Sequence, residues 1–375
     1  PRLELGTDQE LPRAAFGACR LPSLFCSFSL PSSALPSPPR VQEEFANGSM
    51  NTNADNTPVQ MSSQPGPHTA ARDFAHKPSG MLNHGSFGAA PTCVLEEQAY
   101  WRDRWNSVSD HMFFTGELWQ KIRAAASSCI PALTQKGSSL STQQIALVDN
   151  AATAANVIAY RWNKLMRPGD VIFVTDVVYG ACRNAFEEHC SSTRSDDDAF
   201  LHAESSSLRR EVRELKLLTS EGNLAEVDSE ASKFPKTQRQ MAQRFEHSIM
   251  EALREIRLRD SQLNSTCTRR AFFFIDEISS QPSFVLPVAE ILIAAHQAIS
   301  EYNVECSLGS NKVGNIEFGE VCIDGAHSFA LPNLDVVHDL LDNSTIPAEA
   351  RPSWWFANVH KWGFAANTAA VLVGR

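Results

Sequence analysis

The sequence predicts an α/β protein in three layers, with helices on both faces of a doubly wound, mainly parallel sheet. The first observation is a rhythm in which short apolar runs of strand length alternate with longer stretches of helical periodicity. The second is that apolar runs end in acidic turns, as in Asp276-Glu277 after 271–275 and Asp324 after 321–323. Parallel sheets bind ligands outside the carboxyl ends of their strands, so Asp324 is predicted to be well placed to meet a ligand.

The predicted elements follow one another from residue 94 onward. The predicted strands are 144–148, 171–174, 211–218, 271–275, 321–323 and 369–373. The predicted helices are 94–105, 118–129, an alanine-rich stretch ending near Met166, 240–259 and 287–302. In the fourth helix an apolar face recurs at helical spacing, formed by Phe245, Ile249, Leu253 and Ile256. The strand 271–275 reads A-F-F-F-I, and such continuous apolarity is typical of a strand that is buried on both faces.

The chain is predicted to divide into a leader and one large domain. Residues 1–71 are rich in proline, serine and asparagine. Proline lacks a backbone N–H donor, and the polar side chains have little apolar surface to bury, so we predict a disordered leader. Residues 72–375 are predicted to form a single large domain. Within it, the polar and acidic segment 191–207 is predicted to be a loop.

Composition is ordinary for a globular protein and disfavours several function classes. The chain of 375 residues is 43% hydrophobic and 20% charged, and its net charge of -10 gives no reason to expect nucleic acid or an anionic membrane surface as a partner. No apolar stretch has the length of a bilayer span. The nine cysteines form no C-x-x-C pair, which indicates a reducing compartment, with the cytoplasm as the expected location. Residues 13–40 have some features of a transit peptide, but the acidic residues before them argue against organellar targeting.

Two residues near the carboxyl end of the chain support the main chemical hypothesis. Asp324 ends the apolar run in V-C-I-D-G-A-H-S, and Lys361 lies among aromatic residues in W-F-A-N-V-H-K-W. Desolvation there would make the lysine lose its proton readily and become a nucleophile. An aspartate that keeps a pyridine nitrogen protonated and a lysine that forms an imine are the pair that pyridoxal phosphate needs. At this point an ordinary Asp-Gly turn and a solvated surface lysine remain the structural alternatives.

Three further segments could contribute to a ligand site. Glycine in Asn83-His84-Gly85-Ser86 lets the backbone approach a ligand, and the turn 149–153 opens a helix whose free amides could hold a phosphate. Tyr179 follows a predicted strand and could stack on a flat heterocycle. The alternatives are an ordinary loop, an α/β turn without a ligand, and a tyrosine packed on its neighbours. No metal site is predicted, because the histidines in these segments lack ligand spacing and no cysteine joins them. These histidines are His84, His327 and His360.

Taken in order, the motifs resemble those of the class V aminotransferase family of fold type I pyridoxal phosphate enzymes. The similarity is strongest to its isopenicillin N epimerase-like and cysteine desulfurase-like branch, and it covers roughly residues 80 to 375. The motifs are L-N-H-G-S-F-G (82–88), D-N-A-A-T-A-A-N (149–156), R-P-G-D (167–170), T-D-V-V-Y-G-A (175–181), I-D-E-I-S-S-Q-P (275–282), D-G-A-H (324–327) and N-V-H-K-W (358–362). Each motif is short, but together in the family's order they form a specific pattern.

The resemblance implies a role for each matching residue. Lys361 would hold the cofactor as a Schiff base and shuttle the α-proton of an amino-acid substrate, while Asp324 would pair with the pyridine nitrogen. His327 would lie near the ring hydroxyl, and Tyr179 would stack on the ring. The residues implied to bind the phosphate are Ala152, Thr153, Asn358 and His360, and those implied on the substrate side are Asn83 and His84. The family usually has a threonine at the position of Ala152, so the hold on the phosphate would be weaker or would depend on Thr153.

The resemblance also implies a reaction and an assembly. The favoured hypothesis is a carbon–sulfur lyase, desulfhydrase or desulfurase that acts on a sulfur-containing amino acid. An epimerase or racemase, or an aminotransferase, is the alternative, and a catalytically incomplete paralogue serving as a structural or interaction module is an alternative of another class. A homodimer is expected, because family members commonly place the site at a dimer interface. Since the sequence stops at Arg375, the family's small carboxyl-terminal domain, with its arginine for the substrate carboxylate, is expected to be missing, and residues 342–352 look like an inserted loop.

Overall fold

The computed structural model describes residue 74 and residues 83–134, 140–191, 209–217, 235, 237–263, 265–308, 313–332 and 334–375. The predicted leader 1–71 lies outside these ranges, as does the predicted loop 191–207 beyond its first residue. Within the described ranges, no helix combines the length and the apolarity that crossing a membrane requires.

A mixed sheet forms the centre of the described part of the chain. Its strands are β1 (Ile145–Val148), β2 (Val171–Thr175), β3 (Glu211–Leu215), β4 (Arg269–Asp276), β5 (Ile316–Asp324), β6 (Trp354–Asn358) and β7 (Ala370–Gly374). The helices are α1 (Thr92–Phe114), α2 (Glu117–Leu133), α3 (Ala151–Leu165), α4 (Gly180–Ser191), α5 (Gln238–Gln262) and α6 (Val288–Leu308). The sheet has seven strands in the order β1-β7-β6-β5-β4-β2-β3, which confirms the predicted α/β class.

One strand runs against the others. The strands β2 to β6 pair in parallel, whereas β7 pairs antiparallel with both β6 and β1. The connection 359–369 between β6 and β7 is too short for the crossover that a parallel pair requires, so the chain returns in the opposite direction. The strand β6 was not predicted from the sequence, although four of its five residues are buried. The prediction of a mainly parallel sheet is confirmed, with β7 as the exception.

Helices cover both faces of the sheet and produce two apolar cores. On one face, Phe173 and Phe273 pack together with residues of α2, α5 and α6. On the other face, Phe272 and Phe274 pack with residues of α3 and α4. Successive side chains of a strand point to opposite faces, so the continuous phenylalanine run of β4 serves both cores. Burying each of these rings contributes about 1.5–3 kcal/mol. Because helices pack against both faces of the sheet, the fold is doubly wound.

The boundaries of several elements differ from the predictions. The helices α1 and α2 are longer than predicted, the strand predicted at 211–218 ends at Leu215, and the helix α4 was not predicted. Residues 342–352, which look like an inserted loop in the sequence, form turns in which Ile346 and Ala350 are fully buried. Both side chains belong to the core that contains α6, so this segment is anchored to the domain.

Candidate active site

The carboxyl ends of β4 and β5 bring two aspartates side by side. Asp276 and Asp324 are partners in the register of these parallel strands, and they are 2% and 3% exposed. Asp324 Oδ1 accepts a hydrogen bond from the backbone amide of Ala326 at 2.8 Å. Its Oδ2 accepts one from Cys182 Sγ, on α4, at 3.5 Å. Both oxygens of Asp324 therefore have donors, which fixes the orientation of the carboxyl group at the edge of the sheet.

The turn after β5 positions His327 against Lys361. The Nζ atom of Lys361 lies 2.7 Å from His327 Nε2, and His327 Nδ1 lies 3.2 Å from the carbonyl oxygen of Ile278. Because a carbonyl only accepts, Nδ1 donates and Nε2 is the acceptor for the lysine. Lys361 is 8% exposed. The structure thus places a buried lysine beside a neutral imidazole.

Burial determines the electrostatics of this group. It lowers the pKa of Lys361, and the charge of Asp324 opposes that change. Burial raises the pKa of Asp324 to about 6, against the effects of the Ala326 amide, Cys182 and Lys361. Burial and the charge of Lys361 together lower the pKa of His327. A lysine that deprotonates more easily than a free one can act as a nucleophile or a base, which is the character that the sequence predicts for Lys361.

Two glycines let the segments around Lys361 approach each other closely. Gly88 has a φ of +73°, and a Cβ atom there would lie 1.8 Å from the carbonyl oxygen of His360. Gly325 faces the indole of Trp355, and a Cβ atom there would lie 2.5 Å from that ring. Real side chains do not tolerate such distances, so both positions require glycine. The predicted glycine loop therefore packs directly on the segment that carries the lysine.

Glu277 connects three elements around the site. Its Oε2 accepts hydrogen bonds from Trp355 Nε1 at 3.1 Å and from Ser328 Oγ, and its backbone amide donates to the carbonyl oxygen of Asp324 at 2.8 Å. Burial raises the pKa of Glu277, while the bonds from Ser328 and Trp355 oppose the rise. Glu277 thus fixes the turn that presents Asp324 and His327.

We expect Glu277→Ala to destabilise the domain by about 1–3 kcal/mol, because it leaves the buried Trp355 Nε1 without an acceptor. The free energy of unfolding from urea titration measures this loss. The matched control is Glu277→Gln, whose side-chain carbonyl can still accept the indole N–H and which carries no buried charge. We expect the glutamine variant to lose less than about 1 kcal/mol. Equal losses of unfolding free energy in the two variants would show that the hydrogen bond from Trp355 Nε1 does not stabilise the turn after β4.

The start of α3 is capped by two asparagines. Asn150 Oδ1 accepts the backbone amide of Thr153 at 2.8 Å, and Asn358 Oδ1 accepts the backbone amide of Ala151 at 2.9 Å. Asn358 ends β6, so its bond joins this strand to the helix. Amides at a helix start attract anions, but two of these amides already have side-chain partners. The bond of Asn358 brings this residue to the segment that contains Ala152 and Thr153, and the role of the segment toward a phosphate stays a prediction.

Tyr179 and His360 lie on different elements of the same region. Tyr179 precedes α4 and is 50% exposed, so its ring is accessible to a ligand. His360 Nδ1 donates to the carbonyl oxygen of Ala369 at 3.0 Å, and burial lowers the pKa of this histidine. The roles of both residues toward a cofactor stay predictions.

A cavity of about 500 Å³ lies beside His327. Its wall is formed by the segment 278–283 after β4, by residues of the glycine loop including Asn83, and by Trp362. Its polar lining consists of hydroxyl, amide, indole and imidazole groups. Lys361 is not among the lining residues, but its Nζ lies 2.7 Å from Nε2 of His327, which is one of them. Such a lining can accommodate a neutral polar ligand next to the lysine.

His84 packs beside this cavity instead of lining it. Its ring centroid lies 6.1 Å from that of Trp362 and 5.1 Å from that of Phe364. Within the described part of the chain, His84 Nδ1 is buried and has no hydrogen-bond partner. A buried nitrogen without a partner is costly, so His84 Nδ1 is an unsatisfied polar atom next to the predicted substrate side.

Sequence reasoning missed three residues of this site as functional candidates: Asp276, Glu277 and Cys182. Asp276 ends β4 and Glu277 follows it, so the rule that selected Asp324 could also have selected them. Cys182 carried no comparable signal, because it lies on a helix that is distant in sequence from Asp324.

The seven-stranded α/β architecture is of the fold class that the sequence predicts, and known proteins with similar sequences share one name. The homologues of this chain are L-cysteine desulfhydrases. It is 23% identical over 300 residues to L-cysteine desulfhydrase of Arabidopsis thaliana, an alignment that covers 80% of this chain and 51% of that protein. It is 24% identical over 309 residues to a protein of Oryza sativa subsp. japonica that carries the name L-cysteine desulfhydrase 1, covering 80% and 48%.

Solved structures also match this chain, at low sequence identity. A complex of the cystine C-S lyase C-DES with cysteine persulfide has a TM-score of 0.45 and 15% identity, covering 78% of this chain and 56% of that one. The cysteine desulfurase CsdA from Escherichia coli has a TM-score of 0.46 and 14% identity, covering 84% and 59%. No family model matches the sequence. The chain spans about half the length of the curated relatives it matches.

Proposed function

We propose that this chain carries the cofactor-binding domain of a pyridoxal phosphate-dependent enzyme that cleaves the carbon–sulfur bond of L-cysteine or a related amino acid. The observation that supports it most is the buried Lys361 Nζ, held 2.7 Å from His327 Nε2 beyond the strand that ends in Asp324. The names of the homologues support the choice of a sulfur-containing substrate.

The residues present fit this cofactor. Asp324 has a fixed orientation, Tyr179 has an accessible ring, and the buried His84 Nδ1 lacks a partner in the described part of the chain. Lys361 would hold the cofactor through Nζ, Asp324 would meet the ring nitrogen, and His327 would lie near the ring hydroxyl. The phosphate would be held by Ala152, Thr153, Asn358 and His360. When bound, pyridoxal phosphate draws electrons from the substrate α-carbon and so eases the breaking of a bond there.

Lys361 is the residue that would move the substrate proton. Since burial lowers the pKa of Lys361, a larger fraction of it is neutral near pH 7 than for an exposed lysine, and the neutral amine can remove the α-proton. His327 accepts a hydrogen bond at Nε2 and so orients Nζ. The lowered pKa of His327 keeps the imidazole neutral, and it therefore does not repel a protonated lysine.

The thiols nearest the site favour elimination over persulfide transfer. A desulfurase uses a reactive cysteine thiolate, and such a thiol needs an accessible position and a depressed pKa. Cys182 and Cys322 are 1% and 0% exposed, and burial raises the pKa of both thiols. Neither can serve as the sulfur acceptor. The names of the relatives favour a desulfhydrase reaction, which releases sulfide without a protein thiol.

We expect the full chain, supplied with pyridoxal phosphate and L-cysteine, to release sulfide and pyruvate in equal amounts. Elimination of sulfide across the Cα–Cβ bond of cysteine leaves an enamine, which one water hydrolyses to pyruvate and ammonia. A sulfide assay and a coupled pyruvate assay therefore measure the reaction. L-Alanine is the control substrate, because it lacks the leaving sulfur. Accumulation of D-cysteine without sulfide would favour the epimerase alternative, and consumption of an added keto acid would favour an aminotransferase. Cofactor binding without any turnover would favour the catalytically incomplete paralogue.

The assembly and location remain part of the proposal. A homodimer is expected from the resemblance, because the related sites commonly lie at a dimer interface. A reducing compartment such as the cytoplasm suits the cysteines, since all seven in the described part of the chain are free thiols.

A further inference from the structure

Only one of the two aspartates at the strand ends is used by the proposed function. Asp276 of β4 and Asp324 of β5 are in register on parallel strands, so their side chains point to the same face of the sheet. Both lie at the end of the core that contains α3 and α4, and both are almost completely buried. Two carboxyl groups that share such a site cannot both ionise without strong repulsion.

The hydrogen bonds distinguish the two carboxyl groups. Asp324 receives one donor on each oxygen, from the Ala326 amide and from Cys182 Sγ. Asp276 interacts with the backbone amide of Tyr179, but its Oδ2 is buried without a partner in the described part of the chain. Donors stabilise an ionised carboxylate, and a buried oxygen without a donor disfavours it. The negative charge therefore belongs on Asp324.

The surrounding charges act in the same direction. Burial and the charge of Asp324 raise the pKa of Asp276 well above its ordinary value. For Asp324, the rise caused by burial is limited by the Ala326 amide, by Cys182 and by Lys361. The titratable groups around the pair are Cys182 on α4, Cys322 on β5, Glu277 directly after β4, and His327 and Lys361 beyond the ends of β5 and β6. Lys361 is the single cation in this set.

We propose that Asp276 stays protonated at neutral pH and acts as a positioning residue that leaves one negative charge on Asp324. This inference rests on the proposed function in one respect, namely that the charge on Asp324 faces a cationic pyridine nitrogen. With Asp276 neutral, the carboxylate of Asp324 is the one negative charge that faces the cationic pyridine nitrogen. If both aspartates were ionised, binding the ring would leave an uncompensated negative charge buried in the site.

Infrared spectroscopy of the full chain, prepared without cofactor, tests the protonation state directly. At pH 7.5 we expect an infrared band from the carbonyl stretch of a protonated carboxylic acid. The frequency of this band should shift when aspartate is labelled with ¹³C. The band should disappear in Asp276→Asn and persist in Glu277→Gln, which removes a neighbouring carboxyl group whose pKa burial also raises. If wild-type protein shows no aspartate-sensitive band at this pH, the inference is wrong. The labelled wild-type measurement decides this even where a variant does not fold.

Titration with pyridoxal phosphate tests the positioning role. We expect the affinity of Asp276→Asn for pyridoxal phosphate to lie within about 3-fold of the wild-type affinity, since asparagine is also neutral. We expect Asp324→Asn to bind about 30-fold more weakly or worse, because it loses one member of a buried charge pair. Equal weakening in both variants would assign the charge to both aspartates and overturn the inference. Absence of binding to wild-type protein would instead contradict the proposed function, and the infrared result would still decide the state of Asp276.

Discussion

Replacing Lys361 with alanine is expected to abolish turnover while the domain stays folded. The side chain would supply both the amine that holds the cofactor and the base for the α-proton, and loss of a general base alone costs about 10²–10⁴-fold in rate. Borohydride reduction of wild-type protein loaded with pyridoxal phosphate should leave a pyridoxyl group on Lys361, found by peptide mapping. Lys361→Ala should lose both this adduct and the visible absorbance of the bound cofactor.

Lys164→Ala is the matched control for this experiment. Lys164 is an exposed lysine on α3 whose ammonium group lies 5.2 Å from the ring centroid of Tyr160. Its removal should change neither the adduct nor the rate. An adduct on any lysine other than Lys361, or unchanged absorbance in Lys361→Ala, would contradict the assignment. Circular dichroism and the free energy of unfolding verify that the Lys361 variant is folded.

Gly88→Ala is expected to have the largest effect on stability and to disrupt the site as well. The new Cβ atom would lie 1.8 Å from His360 O, 2.8 Å from His360 C and 3.1 Å from Lys361 Cα, so the backbone beside the lysine must move. In addition, φ at Gly88 is +73°, a conformation that costs an L-residue about 1–2 kcal/mol. We expect a total loss of more than about 4 kcal/mol, which is exceptional for a single substitution. Urea titration measures this loss, and cofactor absorbance reports the displacement of Lys361.

Two other glycines separate the contributions to this effect. Gly116 has a φ of +78°, and no atom of the described residues lies within 4 Å of the place that its Cβ would take, so Gly116→Ala should show only the cost of the backbone conformation. Gly180, at the start of α4, has neither a positive φ nor a described neighbour within 4 Å, so Gly180→Ala should change stability by less than about 0.5 kcal/mol. If Gly88→Ala costs no more than Gly116→Ala, close packing against His360 does not determine the position of the lysine.

Much of the fold could be predicted from local patterns. The phenylalanine run of β4 predicted a strand with two buried faces, and the structure assigns Phe272 and Phe273 to opposite cores. The helix with Phe245, Ile249, Leu253 and Ile256 on one face was also predicted, because a period of about 3.6 residues is a local property. The strand β6 was missed, because an apolar aromatic run without alternation does not distinguish strand from helix.

The sequence by itself determined the residue types that this chemistry needs and their order along the chain, since strand ends and apolar runs can be recognised one segment at a time. The contacts among those residues were decided only by the tertiary structure. The bond of Lys361 to His327, the capping of α3 by Asn358, the donor that Cys182 offers to Asp324 and the register of Asp276 with Asp324 all join segments far apart in sequence. No local pattern encodes such pairings, because they depend on strand order and register, which are fixed when the two cores pack against the sheet.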